Sequence, residues 1–277
     1  MKRAILISLA FSVLLIGWTE TPAYAQTASH AIRLEQPKRF HKGVDAWPQI
    51  LYPRTAAERK INATLSSLNL RLAAGLRRCD ARYLRWANIV GMKPPQIAKE
   101  TAGDWERKVR IAMRGPHWLS LVAEDSYIFC GGAHPDSSTT AQVFDLTTGE
   151  KLLWIDHLPT LSGAISGEET QMGGAESETL RWQPLDQIAR QSASTECKDV
   201  FANSHAFQLW LDAKQGAVIA KASDLPHVLQ SCAEELKISI PQARELGFDS
   251  SLIDALDLAQ HSLTARNFPK GKVIENR

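Results

Sequence analysis

Alternation of apolar and polar residues between positions 108 and 155 constrains the fold of this chain more than any other feature. At positions 108–114, apolar Val109, Ile111 and Met113 alternate with charged or small residues, which is the two-residue period of a half-buried strand. The turn residues Gly115-Pro116 and Thr147-Thr148-Gly149 separate such runs. The predicted strands here are 108–114, 117–124, 126–130, 139–146 and 151–155. Strands that follow one another through short turns predict an antiparallel meander.

A helix is predicted to precede these strands. Thr55-Ala56-Ala57-Glu58 has the residues of a capping box at a helix N-terminus. The apolar residues that follow at helical spacing are Ile61, Leu65, Leu68, Leu72, Leu76 and Cys79. That face is expected to pack on a sheet. Residues 84–90 are predicted to add a separate helical turn before Pro94-Pro95.

The second half repeats the combination of strands and helices. Its predicted elements are a helix at 185–201, strands at 207–211, 217–220 and 236–240, a helix started by Pro241 and a last helix from Asp249 to Ala259. Strands come in runs, with helices set apart. The predicted fold class is therefore α+β: an antiparallel β-meander sheet packed by helices and bonded by disulfides.

These patterns divide the chain into six segments. They are a signal peptide (1–25), an irregular basic N-terminal arm (26–54), a helix with antiparallel strands and a Gly-Gly-Ala-His-Pro elbow (55–161), a flexible Gly-rich loop (162–180), a second α+β half of the same domain (181–259) and a polar tail (260–277).

The N-terminus is typical of a secretory signal peptide. Lys2-Arg3 precedes an apolar stretch at 4–17, and Ala23-Tyr24-Ala25 is a cleavage site of small residues. We therefore expect a periplasmic or secreted bacterial protein, cleaved after Ala25, with no membrane span afterwards. Removal of Lys2, Arg3 and Glu20 leaves 30 basic and 29 acidic residues, a balance that argues against nucleic acid as a partner.

All four cysteines lie after the predicted cleavage site. In an exported protein an even number of cysteines first predicts disulfides, and four allow three pairings. We favour Cys79–Cys130 and Cys197–Cys232, one bridge in each half. A metal site is the alternative, but no C-x-x-C spacing supports it.

The stretch 126–158 carries a resemblance to a known family. Cys130-Gly131-Gly132-Ala133-His134-Pro135, followed by Asp145-Leu146-Thr147-Thr148-Gly149 and Leu152, resembles the signature of an extracytoplasmic domain family of unknown function. The same family is similar to the C-terminal domain of the lysozyme-sensing anti-sigma factor RsiV and to the accessory domain of the peptidoglycan deacetylase PdaC. The resemblance implies an exported α+β domain with a cell-envelope role, and it does not imply an enzyme.

This stretch contains one candidate catalytic cluster. A nucleophilic triad needs a serine, a histidine and an acid, and Ser137-Ser138, His134 and Asp145 or Asp136 supply these residue types. No nucleophile-elbow glycines flank either serine, so a structural role for His134 is the favoured interpretation. A metal site at His117, His134 and His157 with Asp156 matches no compact ligand motif. We predict no catalytic residue, no metal and no cofactor.

The eight tryptophans offer faces that could stack on sugars. Those in or beside predicted strands, including Trp154, are more often core residues. Trp47, Trp86 and Trp105 fall outside the main predicted strands and are the ones expected to be exposed.

The sequence predicts a non-catalytic cell-envelope module that binds a lysozyme-like muramidase or peptidoglycan. Its candidate binding residues are Gly131, Gly132, His134, Asp145 and Trp154. The alternative is a hydrolase of envelope polymers that uses His134 and Asp145.

Overall fold

The computed structural model describes residues 32–35, 38–41, 43–93, 105–127, 136–159, 163–170 and 176–267. All of them belong to the compact unit Ala31–Arg277. The predicted signal peptide and its cleavage site lie outside the described residues. Among the helices that are described, none has both the length and the apolarity needed to cross a membrane.

The long helix α1 (Ala56–Ile89) begins as the sequence predicts. The Thr55 hydroxyl accepts the backbone N–H of Glu58, and the Glu58 side chain accepts the backbone N–H of Thr55, which completes the capping box. All six residues of the predicted apolar face are buried. The helix then continues to Ile89 in one piece, because Tyr83 and Ala87 extend the buried face and no helix breaker intervenes. The separate turn predicted at 84–90 is therefore the end of α1.

The first sheet has five strands and packs one face on α1. In spatial order they are β2 (Arg39–His41), β3 (Val44–Asp45), β5 (Trp105–Arg114), β6 (Trp118–Tyr127) and β7 (Asp136–Asp145). All neighbours are antiparallel except β3 and β5, which run parallel. The strands predicted at 117–124 and 126–130 are one strand, β6, over its described length. A register shift between Ile111 and Met113 buries both Ala112 and Met113 and exposes Ile111, which corrects the simple alternation predicted there.

The segment predicted as an irregular arm forms short strands that pack on α1. Besides β2 and β3 it contains β1 (Arg33–Leu34), paired antiparallel with β4 (Ile50–Leu51). Asn62 both donates to and accepts from the backbone of Ile50, at 2.9 and 2.7 Å, and Asn69 does the same with Trp47, at 3.0 and 2.8 Å. Buried Trp47 and Ile50 then join the core between α1 and the first sheet.

The second sheet is antiparallel throughout. Its strands, in spatial order, are β12 (Leu236–Ser239), β11 (Ala217–Ala222), β10 (Phe207–Asp212), β9 (Glu176–Arg181) and β8 (Ile165–Thr170). The β8–β9 hairpin lies where the sequence predicts a flexible loop at 162–180. That prediction missed the hairpin because Ile165, Ser166 and Gly167 of β8 are exposed, so pairing rather than burial holds the strand.

Helices cover the second sheet. They are α2 (Gln183–Ser192), α3 (Ile240–Glu245) and α4 (Ser250–Asn267). The helix predicted at 185–201 is shorter than expected, and the helix predicted to end at Ala259 continues into the segment predicted as a tail. The return strand predicted at 151–155 is absent: Lys151 forms a single bridge with Phe144, and Trp154–His157 is a 3₁₀ helix.

The fold class is confirmed as α+β, with antiparallel sheets packed against helices. The outer edge of β7 meets the second sheet, where Gln208 accepts the N–H of Ala141 and Ser177 donates to its carbonyl. Residues from both sheets and from α2 to α4 share the largest core. The predicted bridge Cys197–Cys232 is present. Cys79 is disulfide-bonded as well, whereas Cys130 lies outside the described residues.

Candidate functional site at one end of the first sheet

The sequence-predicted elbow connects two strand ends of the first sheet. Gly131, Gly132 and His134 lie outside the described residues. The residues that flank them are described: β6 ends at Tyr127 and β7 begins at Asp136, and these two residues are directly paired. Trp105, the first residue of β5, pairs with Tyr127 from the other side. The elbow therefore starts and finishes at the end of the sheet where β5 begins.

A buried ion pair braces this end of the sheet. Nη1 of Arg107 lies 2.7 Å from Oδ2 of Asp125, and both side chains are almost completely enclosed. Nε1 of Trp105 donates to the other carboxylate oxygen at 2.7 Å. The guanidinium also lies over the ring of Trp47, 4.9 Å from its centroid. Together these contacts tie β5 and β6 to the N-terminal segment.

Burial raises the pKa of Asp125 above its ordinary value, and the charge of Arg107 and the hydrogen bonds from Arg107 and Trp105 offset this only in part. Nε and Nη2 of Arg107 and Nε1 of Trp47 are also buried and have no hydrogen-bond partner among the described residues. Because the carboxylate is closed off from solvent, it positions the strand ends and does not meet a ligand itself.

The C-terminal part of α1 reaches the same end of the sheet. Leu72, Leu76 and Cys79 pack against Val44, Trp105 and Tyr127 in a small cluster of their own. Beyond Cys79 the helix continues for ten residues with an exposed outer surface. Three arginines, Arg78 just before Cys79 and Arg82 and Arg85 after it, lie on this side of the helix, and we call them the arginine face. Sequence reasoning missed this face, although the spacing i, i+4, i+7 marks it.

Of the three tryptophans predicted to be exposed, one is exposed in the structure. Trp86, on the exposed end of α1, is 42% accessible. Trp47 and Trp105 are wrongly predicted to be exposed, with 2% and 4% accessible. They are buried because the N-terminal segment pairs with the sheet and encloses the Arg107–Asp125 pair between them.

Asp145 and Trp154 lie away from the elbow. Asp145 closes a turn, since its Oδ1 accepts the N–H of Thr147 at 2.6 Å. Ten-residue β7 places Asp145 about 30 Å from Asp136, at roughly 3.3 Å per residue. His134, two residues before Asp136, lies outside the described residues. The length of β7 therefore separates Asp145 from the strand end at Asp136.

Trp154 is a core residue. It is 2% accessible and packs edge-on against Phe248, with ring centroids 6.1 Å apart. Its backbone N–H donates to both carboxylate oxygens of Glu178 at 3.0 Å. Burial raises the pKa of Glu178, and these hydrogen bonds oppose the shift only in part. The enclosed indole offers no face for a sugar ring.

The remaining histidines form no metal cluster within the described ranges. No group of three His, Cys, Asp or Glu side chains there could hold an ion. His157 packs edge-on against Trp118, and its Nδ1 lies 3.7 Å from the carboxylate of Asp249.

A second polar cluster, unforeseen from the sequence, joins β9, β10 and β11. Nδ1 of His205 contacts Oδ1 of Asp224 at 3.0 Å, and its Nε2 contacts the carbonyl of Val200 at 2.8 Å. Arg181 donates to the other oxygen of Asp224 at 2.6 Å. Burial alone raises the pKa of Asp224, but hydrogen bonds from the backbone of Ala206, from His205 and from Arg181 outweigh it, so the pKa lies below its ordinary value.

This pKa shift predicts acid-sensitive stability. A carboxyl group whose pKa is lowered on folding stabilises the protein when the pH is above the pKa of the unfolded state, near 3.9. This contribution is lost as the pH falls through the pKa of the folded state. We expect Asp224→Asn to be less stable than wild type by about 1–2 kcal/mol at pH 6 and the gap to narrow below about pH 4. Urea unfolding between pH 6 and pH 3 measures it. Asp254→Asn, at an exposed ion pair, is the control, and a gap independent of pH would contradict the prediction.

A pocket of about 280 Å³ lies beside the disulfide Cys197–Cys232. Its apolar wall comes from Ile188, Phe201 and Leu236, and Glu234 and Glu235 stand among its lining residues. It lies between α2 and β12, on the second sheet, and none of the candidate binding residues predicted from sequence lines it.

Comparison with known proteins gives structural similarities only. No protein-family model matches the chain, and no curated protein matches it. A DUF3298 family protein from Pseudomonas aeruginosa PAO1 is similar at 13% identity and a TM-score of 0.36, over 54% of this chain and 63% of that one, less than two thirds of its length. A DUF3298 family member from Bacteroides fragilis NCTC 9343 is similar at 11% identity and a TM-score of 0.44, over 83% of this chain and 99% of that one. Both belong to a family named for a domain of unknown function.

Proposed function

We propose that this chain is an exported, non-catalytic module of the cell envelope that binds a lysozyme-like protein or peptidoglycan. The signal-peptide pattern, the elbow motif and the disulfides support export. One observation supports the binding role. The buried Arg107–Asp125 pair holds together the strand ends that flank the elbow, and the exposed end of α1 lies next to them. A rigid base with an exposed rim is the arrangement expected of a recognition surface.

The geometry favours binding over hydrolysis. A nucleophilic triad requires its histidine and acid within hydrogen-bond distance. Asp145 lies at the far end of β7 from the elbow and already accepts the N–H of Thr147. Asp125, which does lie near the elbow, is enclosed and paired with Arg107. These two carboxylates therefore give no support to a triad at the elbow, whereas Asp136, the other acid of the candidate cluster, begins β7 beside it.

A pull-down with the purified, oxidised protein tests the proposal. Immobilised muramidase and intact peptidoglycan sacculi serve as baits, and soluble muropeptides are measured in the same samples. We expect saturable binding to one bait and unaltered glycan. Release of muropeptides would overturn the proposal in favour of a hydrolase, and absence of binding to both baits would also overturn it.

The variant His134→Ala distinguishes a binding role of His134 from a structural role and from a catalytic one. If His134 belongs to the binding end, we expect this variant to lose affinity by about tenfold, the effect of roughly 1.4 kcal/mol, without any turnover to lose. Far-UV circular dichroism and the melting temperature show whether the fold persists. His261→Ala, on the exposed surface of α4, is the matched control and should bind as wild type does. An unchanged affinity for His134→Ala would remove this residue from the binding end.

A further inference from the structure

The arginine face is a row of unpaired positive charges. Arg78, Arg82 and Arg85 are exposed, and the structure gives none of them a hydrogen bond or an ion pair with a described residue. Their spacing of four and three residues places them on one side of the helix. The buried residues of the same turns, Cys79 and Tyr83, lie on the opposite side.

The charge of this helix segment is strongly one-sided. Residues 71–90 contain five arginines and a single acidic residue, Asp80, although the predicted mature chain is close to neutral. Like charges one turn apart destabilise a helix. The helix dipole favours cations only within the last turn, which contains no basic residue here. The electrostatics of the helix therefore do not favour these arginines, whereas an anionic partner would.

Apolar side chains lie between and beyond the arginines. Trp86 follows Arg82 by one turn, and Ile89, 83% accessible, follows Arg85 by one turn. A helix that inserts into a lipid surface keeps its apolar residues on a face separate from its charges. Here Trp86 and Ile89 each lie one turn beyond an arginine, so the apolar and charged residues are not kept on separate faces. Guanidinium groups that match carboxylates, placed beside an exposed indole, fit a chain of sugar rings that bears ionised groups.

We propose that the arginine face and Trp86 form a docking surface for an anionic glycan, specifically the carboxylate-bearing peptidoglycan of the envelope. This inference rests on the proposed function and narrows it to one of the two ligand classes. The arginines bind ionised carboxylates along the polymer, and Trp86 packs on an adjacent sugar ring. The surface lies at the same end of the first sheet as the elbow, because Leu76 and Cys79 pack on Trp105 and Tyr127 there.

A triple charge reversal tests the surface. Arg78→Glu, Arg82→Glu and Arg85→Glu are introduced together, and sedimentation with intact sacculi is measured at low and moderate salt. We expect affinity to fall by about tenfold or more and the salt dependence of binding to flatten, because three ionic contacts are lost and their sign is inverted. Trp86→Ala should lower affinity as well while leaving the salt dependence in place.

The control reverses the same number of charges elsewhere. Arg190→Glu, Lys198→Glu and Lys214→Glu are exposed positions far along the chain from α1, and this triple variant should bind sacculi as wild type does. Circular dichroism of both triple variants checks that α1 persists. Phosphatidylglycerol vesicles form a second arm.

The outcomes separate this inference from the function on which it rests. If wild type binds sacculi and the α1 variant binds equally well, the docking surface is wrong and the function stands. If wild type binds only muramidase, the glycan ligand is wrong and the function again stands. Binding to vesicles and not to sacculi would overturn the glycan in favour of a lipid surface. If wild type binds neither muramidase nor sacculi, the proposed function itself fails.

Discussion

Asp125→Ala is expected to lower the free energy of unfolding by about 3–5 kcal/mol, because removing one member of a buried ion pair leaves the other charge uncompensated. The guanidinium of Arg107 would remain enclosed beside the ring of Trp47, without a carboxylate to pair with. Trp105 would lose the acceptor of its indole N–H at the same time. Guanidinium chloride unfolding at pH 7 measures the loss.

Two further variants test the reason for this effect. Asp254→Ala removes an exposed carboxylate that pairs with Arg244 and should cost less than about 1 kcal/mol. Replacing both partners with apolar residues, as Arg107→Met with Asp125→Leu, should cost less than Asp125→Ala alone, since no charge is left buried. If Asp125→Ala itself costs under 1 kcal/mol, the pair does not brace the sheet end.

The bridge Cys197–Cys232 is expected to contribute about 3–4 kcal/mol in the chain-entropy description, because it closes a loop with a sequence separation of 35. Replacing both cysteines with serine therefore should lower the free energy of unfolding by about that amount. It should also loosen one wall of the pocket between α2 and β12. Denaturant unfolding gives the first effect, and hydrogen exchange of residues 194–203 gives the second.

Substitution is preferred to chemical reduction because a reductant would also open the disulfide of Cys79. A control with Ser194→Ala, at a neighbouring position in the same pocket, should change stability little. Equal stability of wild type and the double serine variant would mean that the loop is already confined by the contacts of His205 with Val200 and Asp224.

The first part of the fold follows directly from the sequence. The capping residues Thr55 and Glu58 and the seam from Ile61 to Cys79 identify α1, because helix ends and buried faces are governed by local spacing. The α+β class follows from the order of elements. The bridge Cys197–Cys232 follows from the expectation of one disulfide in each half of the chain, and the structure contains it.

Other features depend on tertiary contacts that no local pattern contains. Strand β8 shows no alternating burial because Ile165 and the residues after it are exposed, and its pairing with β9 defines it. Arg107 is charged yet buried because Asp125, eighteen residues later, lies opposite it on the next strand. Trp47 is enclosed only once the N-terminal segment pairs with the sheet. The separation of Asp145 from Asp136 likewise follows from the length of β7, which the sequence pattern alone does not define.

Two asparagines of α1 fix the number of residues between their partners in the N-terminal segment. Asn62 and Asn69 are seven residues apart, about 10.5 Å along a helix axis. Their partners Ile50 and Trp47 are three residues apart, about 10 Å along an extended chain. Both asparagine side chains bond to backbone atoms, so these hydrogen bonds depend on the spacing of Trp47 and Ile50 and not on the side chains between them. One residue inserted or deleted between Trp47 and Ile50 would put one amide out of register, so this segment should reject changes of length.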